Sequence, residues 1–430
     1  MTLGGPASGS ASPMGRRPAW TDAHLGRFSP LGTQHFMNPK VIAAADDEVS
    51  YSWAGKAVRW VGVAGCIAAL LVGLYLVVDG LGGLGSGYAS RIFAAASHPI
   101  TGLLLGILAT AALQSSTTTT AVTIAAVGSG VLNVAVAVPI ILGANVGTTV
   151  TAMMAAFSYT GDRGAFRRAQ STASLHAWFN VGLVGIALPL ELVAHPLEKL
   201  SGAITSALSL ADAPGPHIDS SHTIAGILDP VIATLGTRGL AGALLPSPRA
   251  AAVACALAGI ACGLAALRAM RLLLRDLFRA TTATALERIF GASPAAGLIT
   301  GALGTALIQS STVTITSLLP FAASHTLRRR ECLAVILGAN VGTTFTALIM
   351  PLALPGTLGN VAAQVALVHV LLNVLGAALV VALPPVRRGL IALAKLTART
   401  CDRGYGAALG SLIGCYFLLP AAGLLVAGLS

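Results

Sequence analysis

Two polar strings interrupt an otherwise apolar chain, and each occurs twice. Gln114-Ser115-Ser116-Thr117 returns as Gln309-Ser310-Ser311-Thr312, and Gly143-Ala144-Asn145-Val146-Gly147-Thr148-Thr149 returns as Gly338-Ala339-Asn340-Val341-Gly342-Thr343-Thr344, both 195 residues later. Hydroxyls and a Gln amide donate hydrogen bonds. Placed at the start of a helix, beside its backbone N–H groups and the positive end of its dipole, they suit an anion. In the longer string, glycines that interrupt a helix would free carbonyls, and Asn and Thr add neutral oxygens. That set suits a hard monovalent cation. Of 15 Asp and Glu, only Asp79 and Glu191 fall in or beside an apolar run, each near its end. A site without carboxylates does not repel an anion, and bound cations would supply the compensating charge.

The duplication extends beyond the strings. Pro99, Gly102, Gly106 and Thr110 match Pro294, Gly297, Gly301 and Thr305, and 25 of 55 aligned positions from residue 99 are identical without a gap. Further on, His176 and Asn180 resemble His369 and Asn373 at an offset of 193. Their i,i+4 spacing puts each pair on one helix face, where interhelical hydrogen bonding is the plainest role. Small and hydroxylated residues commonly hold membrane helices together. Two strings repeated at one offset point instead to a site.

The elements that position these strings are set by composition. Of 430 residues, 55% are hydrophobic and 10% charged, and the mean hydropathy is +0.81. So few charges cannot cover a water-soluble protein of this size, and disorder needs low hydrophobicity. The apolar runs are long enough for membrane helices and lack the alternation of a barrel. Six scattered cysteines form no CxxC pair, so neither a disulfide framework nor a zinc site is expected. No acidic pair lies in an apolar run and no Ser stands in a GxSxG context, so the reading is not an enzyme.

The net charge of +11 marks topology rather than nucleic acid. The segments 159–170, 268–288, 325–332 and 384–403 carry 16 Lys and Arg, and the tail through Arg59 carries six more. The 195–245 segment holds only Lys199 and Arg238. The positive-inside rule makes the N-terminus and the basic loops cytoplasmic and 195–245 external. The segments 99–130 and their second copy read as re-entrant hairpins with the Gln-Ser-Ser tips at mid-depth. Three crossings then separate equivalent points of the two copies, an odd number, so the copies have opposite topology, as in alternating-access transporters.

The expected fold is an all-α polytopic membrane protein with two inverted-topology repeats, re-entrant hairpins and broken transmembrane helices. Its division runs as a disordered cytoplasmic tail (1–56), a first transmembrane helix (57–84), repeat 1 (98–193), an external loop (194–249), a connecting helix with a basic loop (250–288), repeat 2 (293–384), and a cytoplasmic segment with the last helix (385–430). The C-terminus is expected outside.

These strings resemble the hallmarks of the sodium-dependent phosphate cotransporter family, the type II sodium/phosphate symporters and their bacterial relatives. Gly161-Asp162-Arg163 through Ala169, followed by His176 and Asn180, is similar to the family's first cytoplasmic loop and next helix. The run 416–420 is similar to a late family helix. The resemblance covers about 57–430. It implies sodium-coupled symport of inorganic phosphate across a plasma membrane (the inner membrane in a bacterium), with sodium as the coupling ion, no other cofactor and lipid as the surroundings. No nucleic-acid partner is expected, and the oligomeric state is open, a dimer included.

By carry-over, Gln114, Ser115, Ser116, Gln309, Ser310 and Ser311 contact phosphate. Thr117, Asn145, Thr148, Thr149, Thr312, Asn340, Thr343 and Thr344 are sodium candidates. Thr110, Thr305, His176, Asn180, His369 and Asn373 support them. The alternative is a transporter, facilitator or channel for another small oxyanion. Electrogenic members carry Asp after the first-repeat His, where this chain has Ala177. Fewer coupled sodium ions are therefore expected, with electroneutral uptake of divalent phosphate.

Overall fold

The structure, a computed structural model, describes residues 53–84, 98–211, 230–289, 293–354 and 356–429. The tail expected over 1–56 lies outside the described residues as far as residue 52, as does 212–229 of the expected external loop. Among the described residues every regular element is helical. Seven helices are long and apolar enough to cross a membrane: Trp53–Gly83, Val134–Tyr159, Arg163–Ala194, Pro248–Leu274, Arg329–Ile349, Leu358–Ala382 and Tyr405–Ala427. The chain is an all-α polytopic membrane protein.

Helix α1 (Trp53–Gly83) precedes a helical hairpin, α2 (Pro99–Leu113) and α3 (Ser116–Gly128). A two-piece helix follows, α4 (Val134–Gly147) and α5 (Thr149–Ala155), then the long α6 (Arg163–Ala194). Helices α7 (Pro196–Ala211) and α8 (Leu240–Leu244) lead to α9 (Pro248–Ile289). The order then recurs: hairpin α10 (Pro294–Ile308) and α11 (Ser311–Ala323), two-piece α12 (Arg329–Thr343) and α13 (Phe345–Ile349), long α14 (Gly356–Ala382). Helix α15 (Pro384–Arg403) and α16 (Tyr405–Ile413) follow, and α16 runs through a π-helical turn, Gly414–Leu418, into α17 (Leu419–Leu429).

The hairpin arms have 15 and 13 residues in both copies. At 1.5 Å per residue that is about 20–23 Å, short of the roughly 30 Å of hydrocarbon. Each first arm opens with Pro at its first position, after a cap that accepts a backbone N–H: His98 Nδ1 from Ile100 and Ser293 Oγ from Ala296. Proline fits there because that N–H has no helical partner.

The glycines of the longer string behave differently from the expectation that they unwind their spans. The two-piece helices do break, at Thr148 and Thr344, yet the backbone there stays right-handed helical (φ −60, ψ −26 and φ −71, ψ −18). The glycines serve close packing instead. A Cβ on Gly143 would overlap the carbonyl oxygen of Leu103, and one on Gly106 that of Ile140. In the second copy Gly338 faces the Leu298 carbonyl and Gly301 that of Val335. Bare backbones let α2 lie directly against α4, and α10 against α12.

Helix α15 packs on α6. Its buried residues Leu390, Ala394, Ala398 and Asp402 recur every fourth position, one stripe of an amphipathic helix. Arg167 closes the contact through its Nε to Asp402 Oδ2 at 2.6 Å, and Trp178 Nε1 donates to Thr397 Oγ1 at 2.8 Å.

Candidate functional site

Each hairpin turns on its Gln. Gln114 and Gln309 hold left-handed backbone conformations, φ 53 and φ 58. That single reversal ends the first arm and lets the next residue begin a new helix. Ser115 and Ser310 are the N-caps of the returning arms, their Oγ atoms accepting the N–H groups of Thr118 and Val313 at 3.3 Å. Two hydroxyls expected at the ligand thus also hold the helix starts in shape. Ser116 and Thr117, like Ser311 and Thr312, form the first turns behind them, where backbone N–H groups point past the tip. Thr110 and Thr305 lie in the first arms and brace the hairpins, donating to Thr119 Oγ1 at 2.9 Å and to Thr314 Oγ1 at 2.8 Å.

The tips are joined to the longer strings by two residues that sequence reasoning passed over. Thr151 Oγ1 donates to Gln114 Oε1, and Thr346 Oγ1 donates to Gln309 Oε1. Both threonines stand two positions past their string and obey the same 195-residue offset. The signal was therefore present in the repeat. The copies differ in access: Gln309 is 6% exposed, whereas Gln114 is exposed.

The longer strings share one hydrogen-bond logic. Asn145 Nδ2 donates to the Ile141 carbonyl at 2.9 Å and Asn340 Nδ2 to that of Ile336 at 2.8 Å. The Thr148 and Thr343 hydroxyls donate to Ala144 and Ala339, both at 2.8 Å. Those of Thr149 and Thr344 donate to Val146 and Val341 at 2.8 and 2.7 Å. Every hydroxyl proton, and one of the two amide protons of each Asn, is thereby spent on its own helix, while the side-chain oxygens keep lone pairs. All six residues are buried, at 9% exposure or less. The tip glutamines follow the same pattern, each giving one of its two amide N–H groups to a carbonyl of its own arm, Ala111 and Ala306.

The two copies interlock. Returning arm α3 packs against α13, the short helix after the second string, and α11 packs against α5, after the first. Across the seam Asn373 Nδ2 donates to Asn145 Oδ1 at 3.2 Å. His176 stands beside Asn340, although neither ring nitrogen makes a well-formed hydrogen bond. Asn180 and Asn373 also donate to the carbonyls of His176 and His369, four residues back, both at 2.9 Å. The expected interhelical role of these four residues is thus realised directly at Asn373. The Oδ1 atoms of Asn180 and Asn373 and Nδ1 of His369 are buried without a hydrogen bond.

The carboxylates are occupied elsewhere. Asp79 accepts from Thr237 N at 2.7 Å, and Glu191 accepts from the N–H groups of Leu197 and Glu198 at 2.8 and 3.0 Å. Glu191, His195 and Glu198 bring ligand atoms within 4.8 Å of one another, but both Glu191 oxygens are engaged in starting α7.

A cavity of about 700 Å³ opens between repeat 1, α15 and the last span, its wall including Val146, Met153, Ala177, Trp178, Thr400 and Tyr416. Its lining contains none of the tip residues. Tyr416, in the π-helical turn, is a third residue that sequence reasoning left without a role: its Oη lies 2.5 Å from Thr149 Oγ1.

The chain matches the family model described as Na+/Pi-cotransporter over residues 69–193 and 264–397. It is 28% identical over 428 residues to sodium-dependent phosphate transport protein 2A of Oryctolagus cuniculus and 30% identical over 428 residues to that of Ovis aries, in each case across 83% of this chain and 66% of the relative. It is 43% identical over 108 residues to sodium-dependent phosphate transport protein 2B of Homo sapiens, 25% of this chain and 16% of that protein. The chain thus spans somewhat less than two thirds of the length of these 2A relatives. No solved structure matches it.

Proposed function

The chain belongs to the Na+/Pi-cotransporter family, and from that premise we propose that it is a sodium-coupled symporter of inorganic phosphate working by alternating access. The observation that carries the reading is the twofold pairing of a hydroxyl- and amide-bearing helix start with a string of buried side-chain oxygens. The names of its relatives, sodium-dependent phosphate transport proteins, support phosphate and sodium as the two ligands that this chemistry leaves open. Phosphate exchanges its hydration for the Gln114, Ser115, Ser116, Gln309, Ser310 and Ser311 side chains and the N-termini of α3 and α11. Sodium ions take the oxygens of Asn145, Thr148, Thr149, Asn340, Thr343 and Thr344, with Thr117 and Thr312 at the tips.

Among the described residues, three helices long and apolar enough to cross a membrane, Val134–Tyr159, Arg163–Ala194 and Pro248–Leu274, separate the hairpins. An odd count supports inverted repeats, and with them a rocking of one half against the other. The unequal exposure of Gln114 and Gln309 fits a conformation open on one side. Sodium bound first orders the strings and, through Thr151 and Thr346, the tips. Phosphate then completes the load and the sodium gradient supplies the work. The N-terminus and basic loops face the cytoplasm in this reading.

The test is radiolabelled phosphate uptake into proteoliposomes, with sodium replaced by lithium, potassium or protons and with sulfate and arsenate as competitors. Sodium-dependent accumulation above the external concentration is expected. Equilibration without a sodium requirement identifies a facilitator, and displacement by sulfate at equal concentration identifies another oxyanion. Gln114→Ala and Ser310→Ala each abolish uptake while leaving the amount of protein in the membrane unchanged.

A further inference from the structure

The two strings are near-copies in sequence but differ in one contact. Thr149 Oγ1 donates its only proton to the Val146 carbonyl at 2.8 Å. The 2.5 Å contact with Tyr416 Oη must then run the other way, with the tyrosine donating. Thr149 is fully buried and Tyr416 is 7% exposed. A threonine oxygen has two lone pairs, so Thr149 keeps one. Its counterpart Thr344 donates to Val341 at 2.7 Å and has no tyrosine bonded to it, so it keeps two.

The donor comes from outside both repeats. It sits in the π-helical turn Gly414–Leu418, flanked by α-helix on both sides. Such a turn adds a residue to the helical register and recurs at functional positions. Here it is the point where the last span reaches the site. Tyr416 also contributes to the wall of the 700 Å³ cavity.

Resting on the symporter reading, we propose that Tyr416 is a positioning residue for sodium: its hydroxyl orients the remaining lone pair of Thr149 and makes the repeat-1 sodium site unlike the repeat-2 site. Among the described residues the tyrosine hydroxyl is hydrogen-bonded to Thr149 and to none of the tip residues. It acts through Thr149 alone, so its effect belongs to sodium affinity and not to phosphate recognition.

The experiment measures sodium activation of phosphate uptake in proteoliposomes of the full chain, together with the sodium-induced rise in melting temperature of the purified protein. Tyr416→Phe keeps the ring and removes the hydroxyl. We expect the half-saturating sodium concentration to rise about threefold or more and the sodium-induced melting shift to shrink. The phosphate KM at saturating sodium should stay within about twofold of wild type. Thr149→Val should act alike, and the Tyr416→Phe/Thr149→Val double variant should be no worse than Thr149→Val. A Tyr416→Phe sodium curve superimposed on wild type overturns the proposal, as does an additive double variant or a phosphate KM that rises with the sodium constant. A wild type without sodium-dependent uptake ends the transport reading instead, and Tyr416 is then judged on the sodium-induced melting shift alone.

Discussion

Asn373 of the second repeat donates its side-chain amide to Asn145 Oδ1 of the first at 3.2 Å, and both residues are buried. The bond ties a sodium-candidate string to the long helix of the other repeat. Removing the donor leaves a buried oxygen without its partner, at a cost of about 1 kcal/mol. Asn373→Ala should therefore lower uptake at subsaturating sodium roughly fivefold. Asn373→Asp should do worse, because an acceptor then faces an acceptor. Asn145→Ala/Asn373→Ala losses that are fully additive, read in a double-variant cycle, would remove this link between the repeats.

Close backbone packing gives a prediction about stability rather than transport. Gly338→Ala places a methyl against the Leu298 carbonyl, and Gly143→Ala against that of Leu103. Each should cost about 1–3 kcal/mol from overpacking. Gly65→Ala is the control, since nothing lies within 4 Å of an added Cβ there, and better helix propensity should leave it neutral or slightly stabilised. Melting in detergent ranks the three. Equal melting of Gly338→Ala and Gly65→Ala would remove the packing role.

Much of the architecture was legible before the coordinates. The hairpins follow from Pro99 and Pro294, from the 195-residue offset and from arms too short to span. The glycine strings were read as helix breakers, because φ/ψ freedom is the property of glycine visible in one dimension. Its other property, the missing side chain, matters only once a second helix is placed beside it. Thr151 and Thr346 were within reach, being identical at the same offset, but they fell just past the motif that drew attention. Tyr416 could not be found by repetition, because the last span has no copy to compare it with.

Ala177 bears on charge. It is 8% exposed, follows the buried His176, and lines the wall of the large cavity. A carboxylate there would add a negative charge to that wall, next to His176. Wild type should carry phosphate without net current. Ala177→Asp should add a phosphate-evoked, sodium-dependent current if the new carboxylate recruits a further ion. Solid-supported membrane recordings read this directly, and a large wild-type charge movement contradicts the expected electroneutrality.

The loop before α6 has its own pH dependence. Asp162 caps that helix through Ala165 N at 3.1 Å and Gly164 N at 2.7 Å. These backbone donors, the Ala165 N–H first, with help from Arg168, hold its carboxyl below the usual carboxylate range. A depressed folded-state value means the cap's contribution is complete above the unfolded carboxylate pKa of about 4. It is lost only as pH falls through the lower folded value. Transport between pH 5 and 8 should thus be indifferent to this group. Asp162→Ala should weaken the start of α6 across that range, and Asp162→Asn should retain most of the cap. A wild-type α6 terminus whose hydrogen-exchange protection changes between pH 5 and 8 would contradict the assignment.

Left-handed backbone at Gln114 and Gln309 has a consequence for how the tips can be dissected. Glycine occupies that region with no steric penalty, so Gln309→Gly relaxes the chain while deleting the amide, whereas Gln309→Ala deletes the amide and keeps the strain. Any gap between the two variants measures what the turn itself demands. What both lose in common measures the carboxamide. Two glutamines carried in a geometry that a smaller residue would fill more comfortably mark the amide, rather than the bend, as the reason for their presence.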